Sequence, residues 1–529
     1  MQIPISHIVK HRADRADVGT LLASLVHKQL IRPGRPEIDG VDGFRFAHAL
    51  IREAAYDALP KQLRAQLHQR MATQLKARAG VQAEVVGYHL ERAYRFCAEL
   101  GPVGEPERAL AVEAAEWLDA AARAAFLRGD LTSGAGMLER AVSLFARDDA
   151  RRFALLPRLG EALFEAGRLK DAEGVLGDAI RYAQAEDARE LAALANVERQ
   201  RVLIQTGSAW SVQDASRVAD TAIEVLGRCG DELGQCRAWC LHATIKWILG
   251  LASGADKDWM QAAEHAQRAG NTRELFEILC WRASAAACGP TPVDTALQRC
   301  NRIRDQVASS PVAVAATLHP LALLHAMNGD FIHARRFIRE ADTILEDLGR
   351  LESTVSHYEA LVEILAGEPA LAESKLLTGY DKLAAMGETS LLATTAAILA
   401  QTAFVQGHDE AAEEYCRTSE RAAAADDLTA QAAWRGVLAK ILAQRGEFDA
   451  AEELAREAVR LAMPTDFTTV QADSLSDLGT VLDRAGHHVE AETAIRQALE
   501  LYRQKGDIIS AERTRSWLST RASATNTNA

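Results

Sequence analysis

Six of the eight cysteines lie between residues 210 and 300. Cys236 and Cys240 are four residues apart, which places both thiols on one face of a helix, as a metal site would require. A zinc site also needs a second set of close ligands, and the remaining cysteines form no other close pair. We therefore favour core packing for these thiols and predict no metal site.

Five of the eight tryptophans fall in the same stretch. Aromatic side chains anchor many peptide and small-ligand grooves, so a cluster of them is a candidate partner groove. The alternative is that irregular helices fill their core with larger side chains, and we favour this second interpretation. The residues are Trp210, Trp239, Trp247, Trp259 and Trp281.

The sequence lacks the residues of a nucleotide-hydrolysing enzyme. No Gly-Lys pair occurs anywhere, so no P-loop is present to surround phosphates and bring a lysine to them. A cyclase would need metal-binding aspartates in an α/β domain, and no strand-rich region is predicted. We therefore expect no catalysis and no cofactor.

Ten glycines recur with steps of 38 to 43 residues over most of the chain. A period in this range is typical of stacked repeats, in which each unit packs only on its neighbours. Each glycine suits a tight turn between two helices, because it tolerates backbone conformations that other residues avoid. They are Gly129, Gly167, Gly207, Gly250, Gly289, Gly329, Gly367, Gly407, Gly446 and Gly486.

Small residues stand at fixed distances from these glycines: seven before, five after and twelve after. Around Gly167 they are Gly160, Ala172 and Ala179. Small side chains at such offsets allow the two helices of a unit, and those of neighbouring units, to approach closely where they cross. Eight of the ten units follow this rule, and a kink is expected near the two that do not, Gly207 and Gly289.

A turn glycine framed by small residues resembles the tetratricopeptide repeat, from about residue 115 to about 505. The period exceeds the usual 34 residues, which longer helices or connections would explain. The resemblance implies an all-α fold, a right-handed superhelical solenoid of about ten helical hairpins. It also implies a concave surface, lined by the first helices, that holds a protein or peptide.

The first 80 residues differ from the repeats. An amphipathic helix from near Asp17 through Leu30, a turn-rich stretch at 32–40 and a strand at 44–46 predict a winged-helix module. Helices at 49–59 and 62–76 should follow. This segment holds 13 Lys or Arg against 7 Asp or Glu, so DNA binding is an alternative function for it.

The stretch from Phe44 to Tyr56 resembles the winged helix that follows the ATPase core in bacterial STAND proteins (signal-transduction ATPases with numerous domains). These include ATPases linked to adenylate or guanylate cyclases and large LuxR-type regulators. The family order is often effector, P-loop ATPase, winged helix and tetratricopeptide-like repeats, and this chain resembles the last two parts. The resemblance implies that His48 senses nucleotide phosphate in a full-length relative, although Ala49 replaces a frequent aspartate. The alternative is a purely structural histidine.

We expect four segments: a winged-helix-like module at 1–80, a connecting helix and turn at 81–110, the repeats at 111–507, and a capping segment with a polar tail at 508–529. The chain has a formal net charge of −13. It contains no stretch of about 20 apolar residues and no signal-peptide pattern, so a cytoplasmic location and no membrane partner are predicted.

These observations predict a non-catalytic protein-interaction or sensor scaffold, corresponding to the C-terminal half of a STAND-type regulator. Its partner is a protein or peptide of some basic character, and a P-loop ATPase domain in cis or trans is a further candidate. Two alternatives remain: a DNA-binding regulator acting through the winged helix, and a fragment of a cyclase-linked ATPase whose P-loop part is absent.

Overall fold

The computed structural model describes residues 15–34, 43–78, 80, 82–128, 130–207, 210–348 and 357–527. Nearly all of these residues are helical: they form 25 helices and two short strands. The chain divides into two compact units, Met1–Arg152 and Phe153–Ala529. None of the described helices is long and apolar enough to cross a bilayer.

The first unit begins with one helix and the only sheet among the described residues, an antiparallel pair with Ile31 opposite Phe46. This pair alone does not establish a winged helix, and residues 35–40 of the predicted turn lie outside the described part. The elements are α1 (Arg15–His27), β1 (Ile31–Gly34), β2 (Gly43–Phe46), α2 (Ala49–Asp57), α3 (Lys61–Lys76), α4 (Ala83–Leu100), α5 (Glu105–Leu127) and α6 (Leu131–Val142).

The first helix is shorter than the sequence predicts. It ends at His27 rather than continuing through Leu30. Gln29 adopts a left-handed conformation with φ 57°, which stops the helix, and Ile31 then enters β1. The apolar spacing of this segment suited a helix, but pairing of β1 with β2 overrides it.

The second unit consists of helices joined by short turns. They are α7 (Ala150–Glu165), α8 (Leu169–Ala185), α9 (Arg189–Thr206), α10 (Val212–Cys229), α11 (Glu232–Ile248), α12 (Ala252–Arg268), α13 (Thr272–Cys288), α14 (Val293–Gln306), α15 (Pro311–Met327), α16 (Phe331–Asp347), α17 (His357–Ala366), α18 (Pro369–Met386), α19 (Ser390–Val405), α20 (Asp409–Ala422), α21 (Leu428–Gln444), α22 (Phe448–Ala462), α23 (Thr468–Arg484), α24 (His488–Lys505) and α25 (Ile508–Thr527). In each successive pair the odd-numbered member is the first helix.

The repeating glycines occupy the turn between the two helices of a pair. Gly129 lies outside the described residues, and eight of the other nine have φ between 64° and 85°. Only glycine adopts this left-handed region without strain, so the recurring glycines are required by the turn. Gly289 is the exception, with φ −76°. A second group, which the sequence analysis did not identify, has the same conformation after second helices: Gly230, Gly270, Gly387 and Gly506.

The small residues lie where helices cross, as predicted. Ala172 and Ala179 are fully buried. A Cβ added to Gly160 would lie 2.5 Å from the Leu176 side chain, and one added to Gly479 would lie 2.6 Å from Ile495. The first helix of each of these pairs can approach the second only because the glycine has no side chain.

One position of the rule, the first alanine of the second helix, is recovered in the two irregular units once residues are counted from the start of that helix. In regular units that helix begins two residues after the glycine, but α10 begins at Val212 and α14 at Val293, five and four residues after theirs. The fully buried alanine three residues into each helix, Ala215 or Ala296, is displaced with it. A longer connection therefore explains why no small residue stands five positions after either glycine. It does not explain the position seven before, where Gln200 and Arg282 stand on the first helices.

Early and late repeats of the second unit also contact each other. We call the contacts that Lys505 and Asp466 make with residues more than 200 positions away, together with other contacts between these repeats, the inter-turn contacts. Lys505 is fully buried, and its Nζ donates to the carbonyl oxygens of Gly289 at 2.7 Å and Thr291 at 2.8 Å. Asp466 accepts from the first backbone N–H of α12, on Ala252, at 2.6 Å. Residues more than 200 positions apart thus cap each other's helix ends.

The turn glycines give a direct test of backbone strain. Gly446 has φ 83°, and nothing lies within 4 Å of an added Cβ. Gly446→Ala should therefore destabilise the protein through its backbone conformation alone, by about 1–2 kcal/mol. The measurement is the midpoint of chemical unfolding followed by circular dichroism. The matched control is Gly174→Ala within α8, which also has free space and should stabilise by roughly 0.5–1 kcal/mol. Destabilisation by both variants would contradict this account.

Candidate binding surface on the first helices

Arg237 of α11 joins the first helices of four successive pairs. Its guanidinium lies 2.6 Å from Glu161 of α7, 3.4 Å from Glu198 of α9 and 3.7 Å from Glu274 of α13. These helices stand side by side, so one residue from each reaches the same point. A single arginine therefore meets three carboxylates from three different repeats.

Two further arginines extend this group in both directions. Arg201 donates to Glu198 at 2.9 Å and lies 4.9 Å above the Phe164 ring. Arg273 pairs with Glu165. We call the group the Arg–Glu network, and its members are Glu161, Glu165, Glu198, Arg201, Arg237, Arg273, Glu274 and Glu277.

The network passes from a buried base to an accessible edge. The Glu198 side chain is 2% exposed and that of Arg237 is 11% exposed. Arg201 and Arg273 keep 26% and 30% of their side-chain surface accessible. Charges at the base are held by protein partners, whereas those at the edge remain within reach of a ligand.

Burial and neighbouring charges shift the acids of the network in different directions. Burial by itself raises the pKa of the Glu161 carboxyl group, but Arg237 and Arg201 more than offset this and hold it below its usual range. Burial raises the pKa of Glu198 despite its two arginine neighbours. Part of the Glu277 side chain is accessible to water, but the surrounding protein partly desolvates its carboxyl group, and this raises its pKa. The negative charge of neighbouring Glu274 raises it further. The positive charges of Arg201 and Arg273 thus offset these effects only in part at Glu277.

A smaller group of polar and charged contacts joins three later first helices. Lys440 of α21 donates to Gln401 of α19 at 2.8 Å and pairs with Asp477 of α23 at 2.7 Å. Its side chain is only 6% exposed. Between these two groups, burial lowers the pKa of His319 on α15 and of His357 on α17 to about 4, so both imidazoles are neutral at neutral pH. The acids of α17, Glu359 and Glu363, pair instead with Lys375 and Arg335 of second helices.

The cysteine pair singled out in the sequence lies beside the network. Cys236 is fully buried and Cys240 is partly buried. A hydrogen bond to Cys236, together with burial, raises the pKa of the Cys240 thiol well above its usual range. A thiol held in its protonated form is a poor nucleophile and a poor metal ligand.

The structure brings three of the five tryptophans together. Trp259 and Trp281 stack with centroids 5.6 Å apart, and Trp247 lies 5.8 Å from Trp259. Trp259 is buried, whereas Trp281 is 43% exposed. Of the other two, Trp210 packs in a neighbouring core cluster, whereas Trp239 packs against the same cluster as Trp247 and Trp259 and lies edge-on to His242. Trp247 and Trp259 serve the core of this segment, and a partner groove at the five residues stays a prediction.

His48 immediately precedes α2 and is exposed. Its side chain makes no capping hydrogen bond to the described residues of that helix. The imidazole is thus accessible at a helix N-terminus, and its role towards phosphate stays a prediction.

A buried histidine pair joins α3 and α4 of the first unit. His68 and His89 are hydrogen-bonded through their Nδ1 atoms at 2.8 Å, and the Tyr56 hydroxyl lies 2.7 Å from His68 Nε2. Burial lowers the pKa of each imidazole to about 4, and for His68 the neighbouring His89 adds to the effect. Both rings are therefore neutral at neutral pH, with one proton shared along the Nδ1–Nδ1 bond.

The Arg–Glu network was not identified from the sequence, although a signal was present. Charged residues recur at a constant interval of 36 along four successive first helices. That interval is shorter than the glycine period, because the charged position drifts along the helix from one repeat to the next. The residues are Glu165, Arg201, Arg237 and Arg273.

Residues 428–504 match the tetratricopeptide repeat family. This segment corresponds to α21–α24, two pairs that follow the small-residue rule, and the match confirms the predicted resemblance there. No curated protein matches the sequence. Two solved structures similar to this one are a Rap protein complexed with competence and sporulation factor and a STAND protein with a tetratricopeptide repeat sensor from Pyrococcus horikoshii.

The Rap protein is 12% identical, with a TM-score of 0.49 over 68% of this chain and 99% of its own. The STAND protein is 14% identical, with a TM-score of 0.35 over 78% of this chain and 63% of its own. The family match, rather than these structures, supports the repeat assignment.

Removing the central cation of the network should be costly. Arg237→Met leaves Glu161 and Glu198 buried without their shared partner, and we expect a loss of about 3–5 kcal/mol in the free energy of unfolding. The two carboxyl groups would then have raised pKa values. Acidification from pH 7 to pH 5 should therefore restore part of the loss relative to the wild type. Denaturant unfolding at both pH values measures this effect.

The control is Arg181→Met, which removes an arginine paired with Asp178 where the two side chains are 73% and 41% exposed. Its effect should stay within about 0.5 kcal/mol. Equal effects of the two variants would mean that the network is no more than a set of surface ion pairs.

The histidine pair predicts acid sensitivity in the first unit. The folded pKa of about 4 lies below the ordinary value of 6.5, so the unfolded chain binds protons first as the pH falls. Stability should be complete above about pH 6.5 and decline towards pH 4, by roughly 2 kcal/mol per histidine at pH 5. Hydrogen exchange of α3 and α4, corrected for the intrinsic rate at each pH, measures this loss.

The double variant His68→Phe, His89→Leu should flatten this pH profile, whereas His48→Gln at an exposed histidine should leave it unchanged. A double variant with the wild-type profile would show that other groups cause the acid sensitivity.

Proposed function

We propose that this protein is a non-catalytic interaction scaffold that binds an extended peptide segment along the Arg–Glu network. The observation that carries the proposal is the meeting of Arg237 with carboxylates from three other first helices, 2.6 to 3.7 Å away. The family match to tetratricopeptide repeats in a later segment supports an interaction role.

The energetics of buried charge favour a binding role over a structural one. Burying an ion pair costs desolvation that its Coulomb attraction barely repays, and apolar side chains would hold the helices together equally well. The fully buried alanines and leucines of the neighbouring helices already do so. Charges fixed on a first-helix face are more useful for recognising a ligand, because they need no reorganisation when it binds.

The accessible edge of the network indicates the chemistry of the ligand. Arg201 and Arg273 offer guanidinium donors to a carboxylate or a backbone carbonyl. Glu277 is exposed and beside a second acid, so it favours a lysine or arginine of the ligand. The proposed ligand is therefore a segment that carries at least one basic residue together with an acidic or polar one.

The finer proposal is that the chain acts as the sensor part of a STAND-type regulator. Its support is the resemblance of the Phe44–Tyr56 stretch, together with a β1–β2 pair directly followed by α2. In this role the repeats bind the signal and a P-loop ATPase domain responds. Nucleotide binding by this chain in the absence of such a domain would contradict the proposal.

Selection of peptides from a random display library on the full chain tests the binding role. Selected peptides should be enriched in Lys or Arg, and fluorescence anisotropy should show saturable binding. Glu277→Gln should weaken binding roughly tenfold, the loss of one charged contact.

The matched control is Glu224→Gln on α10, where the glutamate side chain is 62% exposed on a second helix. This variant should bind as the wild type does. Failure to enrich any peptide, or equal weakening by both variants, would reject the network as the binding surface.

A further inference from the structure

Two histidines and an aspartate meet at the turn between α15 and α16. His325 lies in the last turn of α15, Asp330 is the N-cap of α16, and His333 lies in its first turn. The Oδ2 atom of Asp330 is 3.2 Å from His325 Nδ1 and 2.7 Å from His333 Nδ1. All three ligand atoms lie within 4.8 Å of one another, and no other group of this kind occurs in the described part of the chain.

These distances are close to those of a metal centre. Zinc binds imidazole nitrogen and carboxylate oxygen at about 2.0–2.2 Å, so ligand atoms around one tetrahedral ion stand about 3.3 Å apart. The His325–Asp330 separation of 3.2 Å is already close to this value. The Asp330–His333 separation must open from 2.7 Å, and the two imidazole nitrogens, which lie within 4.8 Å of each other, must reach the same spacing. Rotation of an exposed side chain supplies such a movement.

The turn orients the ligands before any ion arrives. Gly329 has φ 78°, which fixes the connection between the two helices. Asp330 Oδ1 accepts the backbone N–H of His333 at 3.2 Å, so its carboxylate cannot rotate freely. The two imidazole rings lie 5.6 Å apart on the same side. Preorganisation of this kind lowers the entropic cost of binding an ion.

The site is also open to solvent. The side chains are 23% exposed at His325, 38% at Asp330 and 51% at His333. An ion can enter from that side, and a fourth position remains for water or another ligand. Two imidazoles with one carboxylate suit first-row transition ions, whereas Mg²⁺ and Ca²⁺ prefer oxygen ligands alone.

Two other histidines at a repeat turn each pair with a single carboxylate. His487 pairs with Glu452 at 3.0 Å, and His488 pairs with Asp483 at 3.0 Å. Each of these is one imidazole beside one carboxylate, which a simple ion pair explains. At the α15–α16 turn two imidazoles share one carboxylate, and a simple ion pair uses only one of them.

We propose that His325, Asp330 and His333 bind one divalent first-row transition ion, Zn²⁺ in particular, with water at the fourth position. The bound ion joins the end of α15 to the start of α16. The same turn receives Ile509, whose side chain lies 3.3 Å from the Cβ position of Gly329. Metal binding would therefore stiffen the connection between α15 and α16, which also takes part in the inter-turn contacts.

Titration of the metal-free full chain with Zn²⁺ against a chromophoric chelator tests the proposal. We expect one ion to bind with micromolar or tighter affinity. His333→Ala and Asp330→Asn should each weaken this binding at least tenfold, and asparagine preserves the helix cap. Circular dichroism confirms that each variant is folded.

The matched control is His487→Ala, which removes an exposed turn histidine from a single ion pair and should leave Zn²⁺ binding unchanged. Substitution of Co²⁺ gives a second readout, because nitrogen and oxygen ligation lacks the near-ultraviolet charge-transfer band of thiolates. Equal affinity of wild type and His333→Ala, a thiolate spectrum, or no binding of Zn²⁺ would each overturn the proposal.

Discussion

Close crossing of helices is the constraint on which the rest of this structure depends. Leu176 occupies the space that a side chain at position 160 would need, so Gly160 decides how near α7 can come to α8. Ala172 is fully buried in the same pair, and Ala451 is fully buried at the corresponding position of α22. Because small residues recur at these positions, successive pairs can stack closely, and first helices such as α21 and α23 contact each other.

The stacking of first helices is what allows charged residues of different repeats to meet. Carboxylates from α7, α9 and α13 reach Arg237 of α11 because these four first helices lie side by side. The same geometry places Lys440 between Gln401 and Asp477, four to six helix pairs after that of Arg237. Local helix packing thus rests on alanine, glycine and leucine, while a few charged residues contact partners from neighbouring repeats.

The sequence predicts the helical repeats well because their signal is local. A left-handed glycine such as Gly446 and a buried alanine such as Ala451 can each be recognised from fixed spacing. Gly289 shows the limit, since a longer connection changes its conformation and displaces the alanine pattern. The Arg237 contacts escape such reasoning, because they join residues from different repeats and depend on how the charged position drifts along each helix. The early end of α1 likewise depends on the left-handed conformation of Gln29 and on the pairing of β1 with β2, neither of which apolar spacing indicates.

Buried Lys505 has a consequence for the evolution of the chain. An open array tolerates the gain or loss of a whole unit, because every unit senses only its neighbours. Here the ammonium group of Lys505 reaches the carbonyl of Gly289 across 216 positions. Deleting one unit between them would leave the lysine facing the wrong partner, with its charge buried and unsatisfied. A change in the number of units in that interval would therefore require a compensating change at Lys505.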